Sequence, residues 1–475
     1  MQSSLPKVIP IVPAQTEPKL ASLYESESKI YPRAVSGPFA RWRWAFVWIT
    51  QLVFYGLPWL QWGERQAVLF DLAARRFYVF GYVLYPQDFI YLTGLLVVSA
   101  LSLFLFTAVA GRLWCGFACP QTVYTQLFLW VEHKVEGDRN ARIRLDASSM
   151  SVQKISKKAA KHILWLTIAL WTGFTFVGYF TPIRTLGAQA FTLSFGPWEW
   201  FWVNFYALAT YGNAGFMREQ VCKYMCPYAR FQSAMFDKDT LIVSYDVARG
   251  EPRGARSRKV DPSAPALGAC VDCNACVQVC PTGIDIRKGL QYECIGCGGC
   301  VDACDAVMTR MNFPLGLIRF TTQNAVAKGW GPAEITRHVL RPRVLVYATV
   351  LLSLCLALGW SLVSRTPLKV DVVRDRTALA RTVGGGVIEN VYRLQVMNAT
   401  EQPQRYRIAA DGLPGLAVAS EAEVNVGPTE SRWVPVRLQL PPGAALSGSH
   451  PIHFQIGSVQ GDAKVSEKSV FLIPR

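Results

Sequence analysis

Between residues 44 and 364 the chain alternates long uncharged apolar runs with polar, basic stretches, and the run lengths predict helices. Five runs contain no Asp, Glu, Lys or Arg: between Arg43 and Glu64, Asp88 and Arg112, Lys161 and Arg184, Glu199 and Arg218, and Arg343 and Arg365, with lengths of 20, 23, 22, 18 and 21 residues. Each is long enough as a helix to cross about 30 Å of hydrocarbon. Any one could be a buried soluble helix, but five at spanning length argue against that. A sixth run, Leu113 to Val131, is uncharged over 19 residues. Crossing there would carry the eight basic residues from Lys134 to Lys161 to the outer side, and Pro120, Gln121, Thr122, Thr125 and Gln126 weaken it. The expectation is a break followed by an interfacial or re-entrant helix with Pro120 in its first turn.

From about Leu368 the pattern changes to a period of two. Segments such as "LKVDVV", "VYRLQVMN", "QRYRIAA", "RWVPVRLQL" and "HPIHFQIG" are separated by Gly, Pro and Asn turns. Roughly seven short strands predict an immunoglobulin-like sandwich with no disulfide, a module suited to protein docking. "NAT" at Asn398 matches a glycosylation sequon and is read as chance.

Charge orients the helices. Lys and Arg number 6 up to Arg43, 9 from Arg112 to Lys161 and 17 from Arg218 to Arg343, against 3 and 1 in the two intervening loops. Basic loops stay cytoplasmic, so the N-terminus is expected inside and the C-terminus outside. The net charge of +16 is explained by this flanking surplus, and no nucleic-acid motif accompanies it. The mean hydropathy of +0.19 and the 15 Trp and 25 Phe suit a membrane protein. The first forty residues have no apolar core, so a cleaved signal peptide is not expected.

Twelve of the 13 cysteines fall in tight groups, which is metal or redox spacing and implies a reducing compartment. Cys270, Cys273, Cys276 and Cys280 in "CVDCNACVQVCP", and Cys294, Cys297, Cys300 and Cys304 in "CIGCGGCVDACD", both read C-x2-C-x2-C-x3-C. This is the run of bacterial two-cluster ferredoxins, in which the fourth Cys ligates the other cluster. The expected sets for two 4Fe-4S clusters are Cys270, Cys273, Cys276 and Cys304, and Cys294, Cys297, Cys300 and Cys280. Zinc usually takes cysteines in pairs, which argues against it here. Small neighbours such as Ala275, Gly296, Gly298 and Gly299 let amides approach sulfur, while Asp305 stands where a proline would be expected after Cys304.

Two more pairs repeat Arg…C-x3-C-P after the second and fourth runs: Cys115 and Cys119 in "RLWCGFACP", Cys222 and Cys226 in "REQVCKYMCP". Parallel helices would bring these four thiols together, a soft site suited to Cu(I); disulfide chemistry is the alternative. The i, i+4 spacing would align each pair on one helical face, although the proline biases the second Cys toward an extended backbone. The lone Cys355 is expected as a small buried hydrophobe and His133 as a surface side chain. No two of the five histidines share a span, which argues against a membrane haem.

With these motifs, "WVEHKVEGDR" from Trp130 to Arg139 and the β module, the chain resembles the CcoG family, also called FixG or RdxA, over nearly its whole length. The resemblance implies a bacterial inner-membrane protein that reduces Cu(II) to Cu(I) for assembly of a cbb-type haem-copper oxidase. Copper is then the substrate, the four paired cysteines are the catalytic residues, and copper-handling and oxidase-assembly proteins are the partners. The electron donor stays open, and a homo-oligomer is compatible with the pattern. The cysteine arrangement is also similar to membrane ferredoxins of the NapH and NosR kind, which relay electrons from quinol toward periplasmic reductases. A third alternative is a non-enzymatic, redox-sensing assembly scaffold.

The expected architecture is thus membrane α-helical with about five spans, a dicluster ferredoxin-like insert and a C-terminal all-β immunoglobulin-like domain. Its divisions are a cytoplasmic tail at 1–43, four spans in 44–217, the cytoplasmic cluster domain at 218–342, a fifth span at 343–364 and a periplasmic sandwich at 365–475.

Overall fold

The computed structural model describes residues 29–255, 267–375 and 380–474. Most of the expected N-terminal tail, residues 1–28, lies outside the described residues. Among the described residues nine α-helices carry the chain to the cluster domain: α1 (Pro38–Gly56), α2 (Phe89–Ala110), α3 (Leu113–Phe117), α4 (Pro120–Glu136), α5 (Arg139–Ala147), α6 (Val152–Val177), α7 (Ile183–Thr192), α8 (Pro197–Gly212) and α9 (Pro227–Met235). Beyond them lie the helix Gly299–Met311 in the cluster domain and the last long helix, Pro342–Val363.

Among the described residues three segments are long and apolar enough to cross a membrane by length and composition: Pro86–Ala110, Val152–Val177 and Pro342–Val363. The sequence pattern predicts two more, and the structure puts α1 and α8 there. α1 includes Arg41 and Arg43 in its first turns, and α8 has only 16 residues before its last turn loosens into a π-helix, Asn213–Met217. All five helices nevertheless run between the same two faces of the molecule.

The faces are identified by what the helix ends touch. On one, the Asp302 carboxylate accepts the amides of Phe39 (3.2 Å) and Ala40 (2.7 Å), capping α1 from the cluster domain. The last carbonyls of α2 are met there by Thr240 and Arg341, which donate to Ala108 at 3.0 and 2.6 Å. On the other face, residues 57–88 form a small β structure whose strands are Val68–Asp71, Arg76–Val79 and Tyr82–Leu84. Gln66 is buried and ties it to the turn after α6, donating to Gly178 (2.8 Å) and accepting from the Ile183 amide (3.0 Å).

The C-terminal module is the expected sandwich. Seven strands of four or more residues (Leu368–Arg374, Val387–Asn398, Gln404–Asp411, Glu423–Val426, Ser431–Leu440, Gly448–Ser458, Lys464–Ile473) and two shorter ones divide into two antiparallel sheets. Alternate positions such as Tyr392, Leu394, Val396, Ile452, Phe454 and Ile456 enclose the core. Asn398 is fully buried, its amide donating to Gln402 and Gly427, so the sequon has no accessible side chain.

The sandwich does not hang free. Tyr85 donates to the carbonyls of Asn398 (2.9 Å) and Thr429 (3.1 Å), and buried Asp88 pairs with Arg365 (2.7 Å) and Lys369. The loop between the first two apolar runs is therefore a folded bracket for the domain, a role its weak alternation does not announce. Cys355 departs from expectation: it is exposed, because Val344 is the only buried residue of Pro342–Val363, which leaves most of that helix facing outward.

Candidate functional site

In the cluster domain a short antiparallel pair, Ile242–Tyr245 with Ile318–Thr321, and the helix Gly299–Met311 surround two cavities. One, of ≈ 350 Å³, is lined by Cys270, Cys273, Cys276 and Cys304 with Val307, Met308 and Leu317. The other, of ≈ 360 Å³, is lined by Cys280, Cys294, Cys297 and Cys300, with Cys276 on the shared wall. The chain thus carries the last Cys of each run across to the other run's cavity. After Cys280 it turns at Pro281, whereas Cys304 sits inside a helix that continues to Met311. Asp305 suits that continuation: it keeps its amide for the helix and its carboxylate accepts the Gly316 amide at 2.9 Å.

The donor set fits iron-sulfur cubanes. Burial pushes the Cys294 and Cys304 thiols up to about 12, so bare thiolates would be strongly disfavoured and a positively charged core is the natural counterpart. Among the described residues no three His, Cys, Asp or Glu side chains converge on a single ion, either at the two cluster cavities or at the four paired cysteines. Gly296 and Gly298 hold φ of 65° and 71°, turning the backbone around the second cavity as only glycine does readily. Such clusters supply one-electron redox capacity when bound.

The repeated C-x3-C-P motifs form the floor beneath. Cys119 and Cys226 are extended, with ψ of 129° and 110°, and Pro120 and Pro227 open α4 and α9. Each pair therefore straddles a helix break, and the expected single helical face for both thiols is not formed; the following proline cannot sit inside a helix. The two breaks come together. The thiols of Cys115, Cys119 and Cys226 act electrostatically on Cys222, and burial pushes Cys115 and Cys222 up to about 11 and about 12. All four thiols are free and half-buried, and Cys115 donates to Gln232 at 3.4 Å.

This face presses on the second cluster cavity. A Cβ on Gly116 would lie 2.8 Å from Cys297 Cα and from the Ile295 carbonyl, so the first motif can touch the cluster loop only because it has glycine between its cysteines. Arg112 reinforces the contact by donating to the carbonyls of Tyr292 and Ala229. A small gap lined by Cys222, Arg218, Thr282, Pro281 and Ile295 joins the second motif to the same loop.

A buried ion network holds the floor in place. Glu132, with 1% of its side chain exposed, pairs with Arg142 (3.0 Å) and Arg218 (2.7 Å), while Glu136 pairs with Lys158 (2.9 Å) and Lys161 (3.0 Å). Burial would raise the Glu132 carboxyl, but Arg218, Lys161 and Arg142 outweigh it and hold the group below its ordinary range. Gly116, Gln232 and this network were not singled out in the sequence. The only signal was the acidic spacing within "WVEHKVEGDR". His133 is 42% exposed, close to the expectation of a surface side chain.

Comparison with known proteins agrees with this geometry. A family model described as a 4Fe-4S dicluster domain matches residues 217–323, a 4Fe-4S binding domain matches 92–136, and an IG-like fold at the C-terminus of FixG, putative oxidoreductase, matches 358–474. The nitrogen fixation protein FixG of Rhizobium meliloti is 39% identical over 454 residues, covering 88% of this chain and 87% of its own. In Cereibacter sphaeroides, protein RdxB is 42% identical (84% and 86% covered) and protein RdxA 40% identical (90% and 92% covered). A crystal structure of a FixG-related protein from Vibrio parahaemolyticus aligns with 23% of this chain and 97% of its own at 28% identity, with a TM-score of 0.21. With relatives near 40% identity over most of both chains and the cysteine-lined cavities in place, the chain belongs to the FixG/RdxA family of membrane-associated iron-sulfur redox proteins.

Proposed function

We propose that the protein is a metalloreductase that reduces Cu(II) to Cu(I) at Cys115, Cys119, Cys222 and Cys226, supplying copper for assembly of a haem-copper oxidase. The observation that carries this is the contact of the four-thiol face with the loop of Cys294 and Cys297 through Gly116. Soft thiolates favour the reduced ion, and each Cu(II) takes one electron, matching the one-electron capacity of a cluster. A plain relay or a scaffold has no need of four thiols at that point.

The two 4Fe-4S clusters take the ligand sets that line the two cavities. In this reading all five long helices cross the inner membrane of a bacterium. The cluster domain and the N-terminal segment are cytoplasmic and the sandwich is periplasmic, in keeping with the basic loops on the cluster face.

The test is anaerobic purification, reduction with dithionite, removal of excess reductant and addition of Cu(II). Cluster absorbance should recover as a Cu(I) chelator complex appears in equal electron equivalents. The quadruple Cys→Ser variant at the four positions should keep nearly normal iron content and lose copper binding and most of the reduction. Reduction at the parental rate in that variant would assign the copper chemistry to the clusters directly and sink the proposal.

A further inference from the structure

A further pocket lies against the cluster loop, and none of the four paired cysteines lines it. It is open and lies between the N-terminal segment, α1, α4 and the turn at Val279 and Pro281. Pro281 also lines the cavity of Cys280, Cys294, Cys297 and Cys300, so one residue separates the two spaces. A redox partner in this pocket would sit beside the second cluster cavity.

The lining is unusual in charge. Arg33, Arg43, Lys134 and Arg142 contribute, and no Asp or Glu does. Arg142 is engaged by Glu132 and Arg43 by Gln126, but the Arg33 guanidinium and the Lys134 ammonium have no partner among the described residues. Two indoles, Trp44 and Trp130, edge to face at 6.4 Å, line the same pocket. His133 also lines the space, but its Nδ1 is buried away from it, 3.9 Å from the Asp138 carboxylate.

Access is apolar. Trp44 belongs to α1, whose outward face exposes Trp42, Trp48, Ile49, Leu52 and Val53. A ligand with a polar ring and a long hydrocarbon tail could leave its tail along that helix and rest its ring against the tryptophan pair.

We infer that this pocket is a hydroquinone site and that a membrane quinol is the electron donor. The inference deepens the redox reading above by naming its electron source, and it does not require copper to be the final acceptor. Quinol oxidation breaks two O–H bonds, forms two C=O bonds and releases two protons and two electrons. One electron goes to each of the two clusters. Both protons pass to water in the open pocket. The unopposed cations favour the anion formed as the first proton leaves. A lipid phosphate would also be drawn by those cations, but it would not use the indole pair.

The test uses the cluster-loaded full chain in detergent. Decylubiquinone should quench tryptophan fluorescence saturably at one site per chain, and decylubiquinol or menadiol should bleach the oxidised clusters in a single turnover without dithionite. The double charge reversal Arg33→Glu/Lys134→Glu should weaken quinone binding at least tenfold. Trp130→Phe, a conservative ring exchange, should reduce the quenching at unchanged iron content and decides the matter if the charge reversal loses its clusters. Unsaturable quenching, equal quinone affinity in these variants, or displacement of quinone signals by phosphatidylglycerol vesicles alone would overturn the inference, the last in favour of a lipid headgroup. The two proposals fail separately: dithionite-reduced protein that still reduces Cu(II) while ignoring quinol removes only this site, and quinol-bleached clusters indifferent to Cu(II) remove only the copper reaction.

Discussion

Cys280 shows how much one residue's neighbourhood can differ from its neighbours in sequence. It stands four positions after Cys276, yet it lines the cavity of Cys294, Cys297 and Cys300. Replacing it with Ala is expected to lower bound iron toward one cluster per chain and to remove the EPR signal of the second cluster, leaving that of the Cys270 set. Iron analysis with cluster-resolved EPR checks this, and selective loss of the Cys270 signal would refute the crossed assignment. The crossed ligand sets are the expectation that follows from the likeness of each run to those of two-cluster ferredoxins. The importance of Gly116 was not legible, because nothing in "CGFAC" says that another backbone will lie 2.8 Å from where its Cβ would be.

At the scale of elements, the base of the molecule depends on charges that join segments far apart in sequence. Asp146, at the end of α5, accepts from Lys29 and Tyr31 of the N-terminal segment and from Lys158 of α6. Burial would raise its carboxyl, but the bonds from Lys158, Lys29 and Tyr31 prevail and hold it well below the ordinary carboxylate range. Since the folded pKa lies below the unfolded value near 3.9, the group stabilises the fold fully above that value and progressively loses its contribution as pH falls toward the folded one. Thermal midpoints measured from pH 6 down to pH 3 should fall at the acid end, and Asp146→Asn should start lower at pH 6 and show a shallower acid decline. An identical pH slope in the variant would show that the carboxylate carries no such linkage. The helices themselves were legible as apolar runs. Their ends were less so: α1 starts at Pro38 because Asp302, more than 250 residues away, caps it.

At the scale of the whole molecule, the cluster domain and the sandwich occupy opposite ends of the helices. The bracket of residues 57–88 explains why the sandwich is fixed rather than tethered: Asp88 is 3% exposed and gains its compensation from Arg365 and Lys369 of the sandwich stem. The same arrangement ties the sidedness of one end to that of the other. Reporter fusions are therefore expected to agree in pairs: one after residue 474 and one in the 72–75 turn should be active only when exported, and one at residue 329 only when retained in the cytoplasm. A fusion at the C-terminus that works in the cytoplasm would reverse the topology or change the number of crossings.

The sequence by itself determined the local chemistry: which runs are apolar, where strands alternate, how many cysteines stand at cluster spacing and which residue follows each of them. These depend on neighbours within a few positions, and periodicity records them. Only the tertiary structure decided the close approach of Gly116 to Cys297, the cap on α1 and the carboxylate-free pocket beside Pro281. Each of these is a contact between segments remote in sequence, set by how helices and loops fill space against one another, and no local pattern encodes it.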